Sequence, residues 1–395
     1  MISCLKEDVS TRLDLDAYRA LIDRLRSYNY PLIQYIPSRQ SILVGQEKIV
    51  LSSFVFRRRP CIFNSSLFQP LYLSIFRLLH PQIYMLFTIF FRGARFTKET
   101  LVNCIFSEED FKIFVEKGLF QKFAGQYRSS YRFIPIGKVI LVGKFNDVSE
   151  GYVHTGYDTI VLYDNLKDFV LHTRDIERAL EVGCGSGFLS LFVAGKAERL
   201  DAVDLNHEAV RLTKINTGLN NAVNINAFES DVYNNINGKY DYIFSNPPFE
   251  LLPEENRNLL HSFGGASGSE ITKRILEGLD EHLSESGTAH IISNTYIRDS
   301  GGNTLEEIIK KIFSGKKFDI TLKELSYQLS PEYYGYYKTK GIVYSILYFI
   351  TIRRSDSYRL REVPLNFLQK IHERIRLVIL RLISKRYSSR FRMVI

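Results

Sequence analysis

A chain of 395 residues, 45% of them hydrophobic, holds enough apolar material for one large core or two moderate ones, which excludes a disordered protein and favours two or three domains. Its four cysteines (Cys4, Cys61, Cys104, Cys184) stand far apart with no CxxC pair or His-rich cluster, so neither a disulfide framework nor a metal site is indicated and a reducing, cytoplasmic setting fits. The formal net charge of +9 resides in residues 353–395, where twelve Lys/Arg face three Asp/Glu, so the basic pI gives no argument for general nucleic-acid binding and any basic footprint belongs to that tail.

The start, MISCLKEDVSTRLDLD, lacks the basic-then-apolar build of a secretory signal. The stretch from Pro70 to Phe91 is greasy, but Arg77, His80 and Pro81 interrupt it, which predicts core helices rather than a membrane span. From Phe96 the chain reads as helix, turn, helix and two strands, a winged-helix-like order. Ser107 caps a helix whose first turn holds Glu108, Glu109 and Asp110, Gly118 closes it, and alternation from Tyr131 to Val142 predicts a hairpin wing. A packing or substrate-gating unit is the expected role, ahead of nucleic-acid binding.

Between Ala179 and Ile352, short apolar runs alternate with helical segments, the pattern of a parallel sheet wound with helices. Strands are predicted near 179–183, 200–204, 224–228, 240–245, 288–294, 319–326 and 342–352, the last two forming an antiparallel hairpin. Beyond Ser355, Leu368, Ile371, Ile375, Val378, Ile379 and Leu382 share one helical face, with Lys370, Arg374, Arg376, Arg381 and Lys385 largely elsewhere. This basic amphipathic helix is expected to dock on its own catalytic domain, with a partner, RNA or a membrane surface as the alternatives.

The chemistry concentrates at the strand ends. Ala179 to Val182 is an apolar strand carrying Glu181, and it runs into a turn holding Gly183, Cys184, Gly185 and Gly187 before a helix, so that backbone approaches a ligand closely. Alone, such a turn would equally cradle a dinucleotide pyrophosphate. The next strand ends in Asp204, 17 residues after Gly187, where a ribose diol would donate to its carboxylate. Asp231, followed by Val232, ends the third strand and is placed to accept from an adenine amino group, with a surface turn as the plain alternative. The fourth strand runs into Asn246-Pro247-Pro248-Phe249. A nitrogen in an amide or aromatic amine attacks poorly because its lone pair is delocalised. The Asn246 side-chain oxygen and the Pro247 carbonyl would take its N–H hydrogens, and Phe249 would offer a flat face to the planar group.

Over roughly residues 150 to 350 these motifs resemble the class I S-adenosylmethionine-dependent methyltransferases, in the subgroup with an Asn-Pro-Pro-aromatic signature. The resemblance implies that Glu181, Gly183, Gly185 and Gly187 hold the methionine part of S-adenosylmethionine, Asp204 the ribose and Asp231 the adenine, with Val232 and Asn246 beside it. It implies that Asn246, Pro247 and Phe249 form the catalytic loop and that S-adenosylhomocysteine is the product. Relatives with this signature methylate a glutamine amide of translation release factors, a guanine amine of ribosomal RNA, or adenine. Gly264-Gly265-Ala266-Ser267-Gly268 and the following helix resemble the release-factor branch. That branch carries Pro-Arg-x-Glu-Thr where this chain has Gly156-Tyr157-Asp158-Thr159, and its front domain is a small helical bundle.

The chain is therefore expected to be an α/β protein. Residues 1–145 would form a helical, winged-helix-like α+β domain, 146–352 a Rossmann-like seven-stranded methyltransferase domain, and 353–395 a basic amphipathic helix. The expected activity is N-methylation, without a metal, of a planar nitrogen in a protein or peptide, a nucleic-acid base or a small metabolite. The rivals are a non-catalytic scaffold that retains the fold and a nicotinamide dehydrogenase, the latter leaving Asn246 to Phe249 unexplained. Tyr333, Tyr334, Tyr336 and Tyr337 would line a pocket, stack on a base or pack in the core. His154 and His261 are expected to be structural, and Cys184 a small side chain tolerated in the turn.

Overall fold

The computed structural model describes residues 9–28, 33–36, 48–51, 77–136, 139–144, 157–173, 176–330 and 333–391. Helix α1 (Val9–Ser27) precedes the antiparallel strands β1 (Ile33–Ile36) and β2 (Lys48–Leu51). Helix α2 (Pro81–Phe90) starts on a proline, which has no amide to leave unpaired there, and buries Ile83, Leu86, Phe87, Ile89 and Phe90. From Pro81 the greasy stretch is thus a core helix; Arg77, Leu78 and Leu79 before it are exposed, and residues 70–76 lie outside the described residues. No helix among the described residues is long and apolar enough to cross a membrane.

Strand β3 (Phe96–Thr97), helices α3 (Lys98–Cys104) and α4 (Glu108–Glu116), and strands β4 (Phe120–Phe123) and β5 (Gln126–Ser129) follow, the strands pairing in the order β3-β5-β4. The Ser107 hydroxyl accepts from the Asp110 amide at 3.0 Å, the cap its sequence requires. Phe90 meets Phe106, Phe120 and Phe133 edge-on and ties these elements together.

The hairpin expected over Tyr131 to Val142 exists as β6 (Arg132–Ile136) and β7 (Val139–Gly143), but it is a separate two-stranded sheet and not a wing. The hairpin adjoining the two helices is β4–β5, turned at Ala124 and Gly125, both with positive φ. Alternation marks a strand pair without saying what covers it. Here the amide of Asn216 donates to the Val142 carbonyl and accepts from its N–H, both at 2.8 Å, docking the hairpin on the catalytic half.

The catalytic half is one mixed sheet. Its strands are β8 (Ile176–Val182), β9 (Ala197–Asp204), β10 (Ile225–Glu229), β11 (Tyr240–Ser245), β12 (Leu283–Arg298), β13 (Phe318–Gln328), β14 (Ile342–Arg354) and β15 (Arg359–Val363). They run in the order β10-β9-β8-β11-β12-β14-β13-β15, with β14 antiparallel to both neighbours and the rest of the pairs parallel. The helices are α5 (Tyr157–His172), α6 (Phe188–Ala194), α7 (His207–Leu219), α8 (Glu270–His282), α9 (Thr304–Phe313), α10 (Tyr334–Thr339) and α11 (Phe367–Phe391). The expected β13–β14 hairpin is present, and the run from Ile342 is a buried strand.

Two expectations change. The sheet has eight strands, not seven, because β15 lies inside the residues read as tail. Its Arg-Leu-Arg-Glu-Val sequence is charged as an exposed sheet edge requires, and Arg361 pairs with Asp319 of β13 at 2.6 Å, so composition alone did not separate it from the tail. The helix therefore begins only at Phe367.

Strand order reverses between β8 and β11, and such a reversal opens a crevice at the strands' carboxyl ends. Val182 lies beside both Ser245 and Val203, so the turn after β8, Asp204 and Asn246 emerge side by side.

Candidate active site

A cavity of about 260 Å3 sits in that crevice. Glu181, Gly183, Gly185, Asp204, Asp231, Val232 and Asn246 line it; Gly187, Pro247 and Phe249 do not. Gly187 serves the turn instead. Its φ is +77°, and a Cβ at this position would lie only 2.9 Å from the Thr213 methyl, so no other residue fits there without strain.

The Asp204 carboxylate is held in place by two backbone amides, Gly185 on Oδ2 and Asn206 on Oδ1, each at 2.9 Å. Burial raises its carboxyl above the ordinary value, partly offset by those bonds. Glu181, buried and hydrogen-bonded by the Ser190 hydroxyl, is pushed up to about 8, first by burial and then by the nearby Asp204. Val232 is a β-branched residue at φ +54°, a conformation that costs about 1–3 kcal/mol and is concentrated at functional sites. The Ser230 hydroxyl donates to the Val232 carbonyl at 3.0 Å and holds it there. Asp231 is clamped by Arg274 of α8 through contacts of 2.9 and 2.8 Å, a partner that lies 43 residues away and gives no sequence signal.

Asn246 carries the most specific geometry. Its Nδ2 donates to Asp158 Oδ2 at 2.9 Å and Thr159 Oγ1 at 3.2 Å. A carboxylate only accepts, so the amide has one orientation, with both N–H groups toward the start of α5. Oδ1 is buried with no hydrogen-bond partner among the described residues, at the wall of the cavity. An unpaired buried acceptor costs about 1–3 kcal/mol, and its retention suits a group that waits for a donor. Asp158 and Thr159 were not singled out as site residues from the sequence. Their only sequence signal was the comparison with the Pro-Arg-x-Glu-Thr segment.

The loop after Asn246 is pinned from behind. Glu250 exchanges backbone bonds of 2.8 Å with Ser262 and Gly264, and a Cβ on Gly264 would lie 2.8 Å from the Phe249 Cα. The glycine-rich segment thus braces the loop rather than lining the cavity. Phe249 is 6% exposed, within the core cluster that includes Ile292 and Phe349, so its ring is packed away from the cavity wall. Tyr296 donates to the Phe249 carbonyl and accepts from the Leu251 amide at 2.7 Å. Tyr337 packs against Tyr296 and is buried, Tyr333 accepts from Asn256 at 3.2 Å, and none of the four clustered tyrosines lines the cavity. His261 lines it, while His154 lies outside the described residues. Cys184 is buried beneath the Thr213 hydroxyl, and burial pushes its thiol well above the ordinary value, the opposite of a nucleophile.

Among the described residues, the cavity lining carries Asp158, Glu181, Asp204 and Asp231 and no Lys or Arg. That set suits a ligand with positive charge and a diol, and it offers a dinucleotide pyrophosphate no cationic side chain.

Comparisons with known proteins agree on a class. The family described as "Methyltransferase small domain" matches residues 157–321. A putative protein N5-glutamine methyltransferase of Methanocaldococcus jannaschii is 34% identical over 176 residues, 42% of this chain and 85% of that protein. A release factor glutamine methyltransferase of Fusobacterium nucleatum is 28% identical, covering 46% of this chain and 60% of its own length. A ribosomal RNA small subunit methyltransferase C of Erwinia tasmaniensis is 30% identical over 30% of this chain and 32% of that protein.

Proposed function

Since the chain belongs to the class I S-adenosylmethionine-dependent methyltransferases, alongside the glutamine and ribosomal RNA N-methyltransferases, we propose that this enzyme methylates the side-chain amide of a glutamine in a protein. One observation carries the mechanism: the fixed, unpaired Oδ1 of Asn246 at the cavity wall. The choice of a protein acceptor rests on the two glutamine methyltransferase relatives and on a cavity that, among the described residues, has no Lys or Arg to meet phosphates.

S-adenosylmethionine, when bound, supplies an electrophilic methyl on a sulfonium. The acidic cavity fits that cation. Asp204 would take the ribose hydroxyls on the lone pairs its two amide bonds leave open. Asp231 and the strained Val232 would meet the adenine, and Glu181 with the turn at Gly183 and Gly185 the methionine part. Asn246 Oδ1 would accept one N–H of the acceptor amide; the Pro247 carbonyl, next in the loop but outside the cavity lining, would reach the other only if the acceptor enters over the loop. Both bonds draw the nitrogen toward a tetrahedral geometry and aim its lone pair. The nitrogen would gain the methyl as the C–S bond breaks with its electron pair going to sulfur, leaving S-adenosylhomocysteine, and would release one proton to water, so no strong base is needed. Asp158 and Thr159 act through Asn246 as positioning residues.

The front elements from α2 to β5 read as winged-helix-like, with β4–β5 as the wing. Helix α4 presents Glu108, Glu109, Asp110 and Glu116, and Asp110 is taken by Arg24 of α1 at 2.8 Å. An acidic helix engaged with its own chain is a poor reader of phosphates, which supports a packing or gating role. The catalytic unit reaches Val363 in this reading, since β15 completes its sheet, and a cytoplasmic setting fits the cysteine usage.

The test is methyl-labelled S-adenosylmethionine offered to protein and RNA fractions of the source cell. Label recovered from hydrolysed protein as N5-methylglutamine supports the proposal. Nuclease-sensitive label overturns the acceptor while leaving Asn246 its role, and binding of the donor without transfer to any fraction favours a scaffold.

A further inference from the structure

Helix α11 is docked the wrong way round for an ordinary amphipathic helix. It packs against β13 and α10, and its described side chains on that side are Glu373, Arg376, Leu377 and Arg381, three of the four charged. Buried Glu373 accepts from the Tyr327 amide at 3.1 Å and from Arg376, Arg376 also donates to the Tyr327 carbonyl, and Leu377 fills the gap beside them. Further along, Arg381 donates to the Val343 carbonyl at 3.2 Å. The opposite face carries Phe367, Leu368, Ile371, Ile375 and Val378, at helical spacing, each between 40% and 77% exposed. Contiguous apolar side chains left in water mark an interaction surface, unlike scattered ones.

Charge selects the occupant. The helix itself holds seven Lys/Arg and a single acid, Glu373, which is buried against Arg376. Helical pitch sets Lys370 and Arg374 along one flank of the stripe. A second copy seated antiparallel on the stripe would bring basic flank against basic flank, and one seated parallel would leave the basic flank without an acidic partner. An RNA would satisfy the flank and leave the stripe in water. An anionic lipid surface satisfies both, taking the apolar arc among the acyl chains while the basic side chains reach the headgroups.

We propose that α11 is an interfacial helix that seats this enzyme on an anionic lipid surface through Phe367, Leu368, Ile371, Ile375 and Val378. The proposal is independent of the methyl acceptor. The polar, buried face keeps the helix anchored to the sheet, so lipid contact needs no unfolding of the catalytic half.

The test is flotation of the full chain with vesicles of phosphatidylcholine alone and of phosphatidylcholine mixed with phosphatidylglycerol. Binding to the mixed vesicles that weakens with added salt is expected, roughly tenfold or more above the zwitterionic ones. The triple variant I371E/I375E/V378E should lose that binding by a similar factor while titrating S-adenosylmethionine as the parent does. Equal binding to both vesicles, or full binding by the triple variant, overturns the proposal. So does a lipid-indifferent parent that dimerises through the stripe or shifts RNA. The chain has no Trp, so V378W adds a single emission reporter that is informative even if the triple variant fails to fold. A blue shift on mixed vesicles supports the proposal, and unchanged emission overturns it.

Discussion

The middle of the sheet and its β15 edge bury polar groups in opposite ways. Where β8 meets β11, carboxylates and an amide are held by backbone and side-chain bonds but keep lone pairs facing a cavity. At the β13–β15 end, Glu373 spends its oxygens on the Tyr327 amide and on Arg376, and the helix that carries it turns its apolar side outward. A buried carboxylate is thus a candidate functional group only where its acceptor capacity is unspent. An apolar stripe, likewise, identifies a helix's docked face only after its polar partners are counted.

The sharpest break of this comparison is at Asn246. Replacing it by Ala removes the waiting acceptor, and turnover should fall roughly a thousandfold or more while S-adenosylmethionine affinity stays within a few-fold. Labelled-methyl transfer beside calorimetric titration measures both, and normal turnover would sink the mechanism. Glu373→Ala tests the β13–β15 edge. It leaves the Tyr327 amide without its acceptor and takes the carboxylate away from Arg376, so thermal unfolding should show a loss of about 3 kcal/mol with the donor's affinity unchanged. A weakened affinity would mean the two places are coupled. Asp204→Ala reverses that split: stability shifts little, and donor binding weakens roughly a hundredfold as two hydroxyls lose a charged acceptor.

Asp158 separates positioning from binding. Asp158→Ala frees the Asn246 amide to rotate, which should lower kcat about tenfold with donor affinity intact. Asp158→Asn keeps a carbonyl oxygen to receive the Asn246 N–H and should restore most of the rate. A variant pair that loses thermal stability equally, without this recovery, would make Asp158 merely structural.

These predictions also mark where the sequence was legible. Glu181, Gly183, Gly185, Asp204 and Asn246 were legible as neighbours around one cavity because they lie at or just after strand ends, and parallel pairing beside Val182 brings successive strand ends together. Asp158 and Thr159 precede Asn246 by 88 and 87 residues, and Arg274 lies 43 residues from Asp231, so only the fold joins them. Phe249 was assigned a flat face toward the acceptor from its place in the motif, yet the bracing by Gly264 and Tyr296 sets its ring into the core. Periodicity found the apolar stripe of α11 but not which side docks, because the docking bonds come from Glu373 and Arg376, which the pattern counts as solvent-facing.

Glu181 gives the smallest effect and the one with a sign to check. In the free chain burial pushes it up to about 8 from an ordinary 4.5. The folded chain therefore binds a proton that the unfolded chain has lost, and the stability associated with that proton is fully present below 4.5 and is lost as pH rises through about 8. A cationic donor favours the carboxylate, so binding below about 8 must expel the proton. Affinity should rise with pH, by up to about tenfold per unit below 8, and level off above it. Titrations in buffers of different ionisation enthalpy should report release of up to one proton at neutral pH. Glu181→Gln should flatten the profile, whereas a slope that survives this substitution would assign the proton to another group, with Asp204, also raised by burial, the first to examine.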